Sequence, residues 1–208
     1  MTYTLEDTSL KSLTFCLALA NTADWHASQH PEEGLTSLKI LIDWEEAKGI
    51  LSTSQATRIR AAAEKDPAGA EEARLTAIAF RETVYRVFVA VAGHQSPAQT
   101  DMLRINEVLQ QAMSRAGLSE STSGFSWLWG DEDTGYDCLM WPAAHSAARL
   151  LTDEKLRASI RQCADEHGCG VLFLDRTKNH SRRWCSMKSC GNRAKAQRHY
   201  QKQHGLGK

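Results

Sequence analysis

The stretch Cys163-Ala-Asp-Glu-His-Gly-Cys169-Gly-Val-Leu-Phe-Leu-Asp-Arg-Thr-Lys-Asn-His-Ser-Arg-Arg-Trp-Cys185-Ser-Met-Lys-Ser-Cys190-Gly-Asn-Arg193 decides how the C-terminal part of the chain folds. Five residues separate Cys163 from Cys169, four separate Cys185 from Cys190, and fifteen lie between the pairs. Two close cysteine pairs at such a distance are the arrangement of a structural zinc site. Zinc takes four tetrahedral ligands, and each pair on a tight knuckle supplies two. Val171-Leu172-Phe173-Leu174 reads as a strand that carries the chain out and back. Gly168 and Gly170 permit a sharp backbone beside Cys169. After Cys190-Gly-Asn, a helical run from Arg193 to about Gln203 completes a treble-clef-like order of knuckle, hairpin, knuckle and helix. Buried free cysteines and redox-active pairs are the alternatives, although the Cys-x2-Cys redox motif is missing. His167 and His180 lie close enough to compete as ligands, and His167 is the substitute if Cys163 or Cys169 is not used.

Outward from this stretch, charge is unevenly spread. The 208-residue chain holds 25 Lys+Arg and 25 Asp+Glu, so its formal net charge is zero. From residue 176 onward there are ten basic residues and no acid, which leaves the preceding part at −10 and the end at +10. Such a split points to an anionic partner for the basic end. A helix there sets Lys195, Arg198 and Lys202 on one face, as a stripe able to follow a phosphate backbone. Arg182, Arg183, Lys188 and Arg193 extend the candidate surface, though Arg193 serves equally well as a structural side chain bonding loop carbonyls. The acidic body could also fold back on this end and mask it.

The first 150 residues read mainly as helices, and a composition of 42% hydrophobic and 24% charged residues argues for a folded chain. Leu10, Leu13, Leu17 and Ala20 give a helix over 9–22, and Leu35 to Trp44 gives a second ending near Gly49. Ser52 or Ser54 caps a third. Asp66-Pro67 and Ser96-Pro97 are cap-plus-proline starts of two long helices, which end at Gly93 and Gly117. Residues 124–141 carry two aromatic runs around Gly-Asp-Glu-Asp-Thr-Gly and read as a β-hairpin. Its Trp127 and Trp129, with Trp141, either cover the helical core or wall a small-molecule pocket. Pro142 opens a short helix, and Thr152-Asp153 caps another that leads into Cys163. Cys16 and Cys138 read as small buried apolar side chains.

The segment Ser181–Lys195 resembles the CGNR zinc finger of bacterial proteins, named for the tetrad that here is Cys190, Gly191, Asn192 and Arg193. Leu172–Thr177 and the Trp-Pro and Ser-Ala-Ala-Arg-Leu-Leu-Thr segments at 141–152 are similar to that family too. The resemblance implies an N-terminal ABATE domain over 1–152, a finger over 153–208, and a role in stress-induced transcription regulation. Two departures stand out. Leu17-Ala-Leu-Ala-Asn21-Thr22 has Ala18 where the family carries an acid, and the first knuckle has five intervening residues where four are usual.

No nucleotide-binding glycine loop, serine-hydrolase elbow or His-Glu-x-x-His motif is present. His26 and His30 share a helical spacing, but Pro31 breaks the helix. The expectation is therefore a mainly α protein, not an enzyme. It has a helical N-terminal domain with a β-hairpin and a small treble-clef-like finger holding Zn2+ on Cys163, Cys169, Cys185 and Cys190. The expected partner is double-stranded DNA. RNA, the ribosome or an acidic protein is the alternative. A homodimer and a small-molecule effector stay open. With no apolar run of membrane length and no secretory signal, the expected location is cytoplasmic.

Overall fold

The structure, a computed structural model, describes residues 12–121, 124–129 and 135–204. Its helical part is built round one long helix. Helix α1 is Phe15–Ala20, α2 Leu38–Ala47, α3 Thr53–Lys65, α4 Pro67–Ala92 and α5 Gln99–Arg115. Helix α6 is Trp141–Thr152, and the short α7 is Glu154–Ala158. Helix α4 buries Ala77, Phe80, Val84, Val87 and Phe88, a stripe at helical spacing that α1, α2, α3 and α5 pack against. Helix α6 lies on α1 and α5, with Ala143, Ala144, Ala147 and Leu150 fully buried. Its small residues let the neighbouring backbones come close. Cys16 and Cys138 are buried here, and burial pushes the Cys16 thiol up to about 12.

The helix starts follow their local signals. Ser52 and Gln55 form a reciprocal capping box on α3, and the Asp66 side chain accepts from the Gly69 N–H before Pro67 in α4. Gly49 ends the second helical stretch at φ +72°. Three expectations shift. The first helix is shorter than 9–22, and residues up to 11 lie outside the described ones. Helix α5 starts two residues after Pro97, with Ala98 at the cap and no side-chain bond, so Ser96 does not cap it. The helix after Asp153 ends at Ala158, because the chain then turns into strand β5, Ile160–Gln162.

The hairpin also lies elsewhere than expected. Strand β3, Ala116–Ser121, leaves α5 directly and pairs antiparallel with β4, Gly124–Trp129, with Leu118 opposite Trp127 and Glu120 opposite Phe125. The aromatic run is thus the second strand, not the first. Residues Tyr136–Leu139 form a 3-10 turn, and Trp141 begins α6. The expected turn at 130–134, with its Asp131-Glu132-Asp133, lies outside the described residues.

A short ribbon, β1 (Ala23–Asp24) with β2 (Glu32–Glu33), crosses beside α4. It is fastened by charge. Arg81, 3% exposed, donates from its two guanidinium tips to Glu33 at 2.7 Å each and also bonds Glu82. Glu82 in turn meets His26 Nε2 at 2.9 Å. Burial works against both carboxylates, but the bonds from Arg81, and from His26 to Glu82, hold Glu33 and Glu82 below the usual range. Glu45 on α2 is the opposite: fully buried, it is pushed well above the usual carboxylate range by desolvation. No helix among the described residues is long and apolar enough to cross a membrane.

Candidate metal centre

Strand β5 pairs antiparallel with β6, Leu172–Leu174, and this pairing brings the two cysteine knuckles together. Cys163 follows β5 and donates its N–H to the Val171 carbonyl at 2.8 Å. The chain turns through Asp165–Gly168 to Cys169 and returns along β6. The second knuckle starts at Cys185 and passes through a wide helical turn, Met187–Gly191. That turn runs without a break into helix α8, Asn192–Gln203, so Cys190 lies just ahead of a helix N-terminus.

The four Sγ atoms all lie within 4.8 Å of one another. Cys169 and Cys185 are 3.7 Å apart, as are Cys185 and Cys190. A tetrahedral ion with metal–sulfur bonds of about 2.3 Å sets its sulfurs about 3.8 Å apart, so the cluster fits a four-thiolate metal. The separation is far beyond the ~2.05 Å of a disulfide. Val171, Phe173 and Trp184 pack round the cysteines as a small core. Such a core is too slight to hold a finger by itself. Burial pushes the Cys169 thiol up to about 11 and raises Cys185 as well. Cys190 is held below its ordinary value despite burial, by hydrogen bonds from Cys169 and the Arg193 guanidinium. A coordinated cation overrides these differences, because it deprotonates each thiol it binds.

The histidines stand aside. His167 Nδ1 is 3.3 Å from Asp165 Oδ1, and His180 bonds the Asp175 carbonyl. His26 bonds Glu82 and the Ala20 carbonyl, and neither it nor His30 lies on a helix, so the two do not make a metal pair.

The basic candidates divide into two groups. Arg182 is turned back on the finger, donating from Nε to the Trp184 carbonyl at 2.9 Å and from Nη2 to the Cys185 carbonyl, with its guanidinium over the Phe173 ring. Arg193 is also turned inward. Its Nη2 donates to Cys190 Sγ at 3.2 Å and stands 3.0 Å from Asp165 Oδ2. Both arginines thus have partners within the finger, and Arg182 is exposed as well. Arg183, Lys188, Lys195, Arg198 and Lys202 are exposed, and Arg176 and Lys178 stand exposed on the loop after β6. That loop is ordered by buried Asp175, which accepts from the Thr177 N–H and hydroxyl and from the Arg182 N–H. Among the described residues, Arg193–Asp165 is the ion pair made by the basic end. Trp184 is half-buried in the finger core, as a structural tryptophan would be.

Sequence reasoning missed the groups that join the finger to the helical part. Asn21 spans the edge of β6, donating from Nδ2 to the Leu172 carbonyl at 2.8 Å and accepting from the Leu172 N–H at 2.9 Å. The Tyr85 hydroxyl on α4 donates to the Gly170 carbonyl at 3.1 Å and accepts from Gln162. The Ala27 N–H donates to the Gly168 carbonyl. Asn21 carried a signal, the Asn-Thr pair of the family segment; Tyr85 carried none beyond its place on a buried helix face. Asp165, the buried partner of Arg193, was readable only as an acid within the first knuckle. Two of the three tryptophans Trp127, Trp129 and Trp141 have described side chains. Trp141 is buried and borders a cleft with Gln111, Arg115 and Asp137; Trp127 lies edge-on to His145; and the Trp129 side chain is outside the described residues.

Comparison with known proteins agrees with this division. Residues 159–203 match the family model of the CGNR zinc finger. Residues 13–154 match ABATE, whose description is "Putative stress-induced transcription regulator". No curated protein matches the chain. With a helical part matched over most of the chain and a four-cysteine finger following it, the protein belongs to the ABATE family and carries a CGNR zinc finger.

Proposed function

We propose that the protein is a zinc-dependent DNA-binding regulator of transcription and not an enzyme. The observation that carries this reading is the exposed set Arg183, Lys188, Lys195, Arg198 and Lys202, left on a finger segment without a single acid after Asp175. A row of cations on one small module attracts phosphates and releases their counterions on binding. Zinc suits the four thiolates better than harder ions, which prefer oxygen. With all four positions taken by protein, the metal has no open site for substrate, which supports a structural role. A cytoplasmic setting, where thiols stay reduced, agrees with four cysteines kept for metal. The helical domain is the part suited to sensing or self-association.

The test is binding of the zinc-loaded full chain to a mixed-sequence duplex over a range of salt. The expected result is a log–log fall of affinity with salt, steeper than two phosphates' worth. Affinity for no duplex at low salt overturns the DNA reading. Stronger binding to RNA of the same sequence would move it to the RNA alternative, since phosphates alone do not separate the two.

A further inference from the structure

Trp25 has a backbone that bulky residues avoid, with φ at +54° in the left-handed region. A strained residue persists only where its surroundings hold it. Here the strain points the indole at the finger: the Arg193 guanidinium carbon lies 4.7 Å from the ring centroid. The other contacts of Arg193 are Cys190 in the second knuckle and Asp165 in the first. One tryptophan of the helical domain thus closes a stack that spans both knuckles.

The same ribbon grips the first knuckle by its backbone. Gly168 and Gly170 have φ of +89° and +71°, and a Cβ on them would lie 2.6 Å from Ser28 Cα and 2.5 Å from Tyr85 Oη. Tyr85 stacks on His26 at 3.5 Å, and His26 is tied to Glu82 on α4. The backbone on both sides of Cys169 is therefore fixed by groups outside the finger.

From this geometry we propose that the helical domain supplies the outer shell of the metal centre, with Trp25 and Tyr85 as positioning residues, so that metal retention and the docking of the 23–33 ribbon are one linked equilibrium. The proposal rests on the four-cysteine metal reading and is independent of DNA binding. A knuckle already held in its bound shape spares the metal the ordering of that loop. Outer-shell partners fix the orientation of metal ligands in the same way. Linkage is reciprocal: whatever loosens the ribbon loosens the metal, and metal loss frees the ribbon.

The test uses the full zinc-loaded chain with an excess of a chromophoric chelator, recording the rate of metal release. Trp25→Ala and the milder Tyr85→Phe release zinc faster, by about tenfold or more for the first. Trp25→Phe, which keeps a ring over Arg193, stays near the wild-type rate, as does Arg104→Ala on the exposed face of α5. In parallel, hydrogen exchange of residues 23–33 in the wild type rises when zinc is withdrawn. Release at the wild-type rate from both Trp25→Ala and Tyr85→Phe, or unchanged exchange of the ribbon, overturns the proposal. Failure of the purified chain to take up one zinc per molecule removes the metal reading itself, and is seen before any variant is compared.

Discussion

The first knuckle, Cys163 to Cys169, lies against Ala27, Ser28 and Tyr85, and the carbonyls of Gly168 and Gly170 are taken by the helical domain. The second, Cys185 to Cys190, turns Met187 and Lys188 to solvent and runs straight into the basic helix α8. The ligand chemistry is the same on both sides, so the difference comes from the surroundings. One half of the finger is a fixture of the helical domain, and the other carries most of the exposed cations. The four-cysteine cluster is the joint between them. A perturbation should therefore act differently according to the knuckle it enters.

The largest expected effect removes the joint. Cys185→Ser leaves three thiolates for a four-coordinate ion whose binding is worth on the order of 10 kcal/mol in comparable small domains. Loss of the cooperative finger and of DNA binding is expected, read by zinc content and by retardation of a duplex. Retained DNA binding by a metal-free variant would break the comparison at its root.

Next comes the body that holds the first knuckle. Phe80 is fully buried on α4, and Phe80→Ala should cost about 3–5 kcal/mol, measured by denaturant unfolding. If docking is real, the loss also appears as faster metal release.

A direct contrast of the two knuckles follows. Gly170→Ala places a methyl against Tyr85 at positive φ and should cost more than about 1 kcal/mol. In Gly191→Ala the new methyl meets the flexible Met187 thioether at 3.0 Å, which can swing away, so a smaller cost is expected in thermal melts. Equal costs would mean that the first knuckle is no more constrained than the second.

On the exposed side, Lys195→Ala or Arg198→Ala should each lower the slope of log affinity against log salt by about 0.9 for a lost phosphate contact, with unchanged melting. Arg182→Ala should do the reverse, because its guanidinium braces Trp184 and Cys185. It lowers finger stability and moves the salt slope little.

The smallest effect is set by pH. Glu33 and Glu82 have folded-state pKa values depressed by Arg81 and His26. Their contribution is fully present above the unfolded value of about 4.3 and is lost as pH falls through the lower folded values. Ribbon exchange should rise in that window, below about pH 4.3, and Glu33→Gln should flatten the rise.

Much of this was legible along the chain because it depends on short-range chemistry. The cysteine spacing named a four-thiolate site before the sulfurs were seen within 4.8 Å. Ser52 with Gln55 and Asp66 with Pro67 marked helix starts that local hydrogen bonds then made. The hairpin was displaced because the Gly- and Asp-rich turn signal at 130–135 outweighed Ala116–Ser121, a segment with no β-branched residue that becomes a strand by pairing with Gly124–Trp129. Strand β5 was hidden for the same reason: three residues pair only because β6 lies beside them.

By itself the sequence determined the two cysteine pairs, the helical body and the +10 end, since each follows from residue type and near-neighbour spacing. Only the tertiary structure decided the place of Arg193. Arg193 looks like Arg198 in sequence. It differs because a buried carboxylate of the first knuckle and an indole of the helical domain stand within reach. Asn21 finds Leu172 across 151 residues in the same way. Such commitments are made by packing between distant segments, and no local pattern encodes the distance.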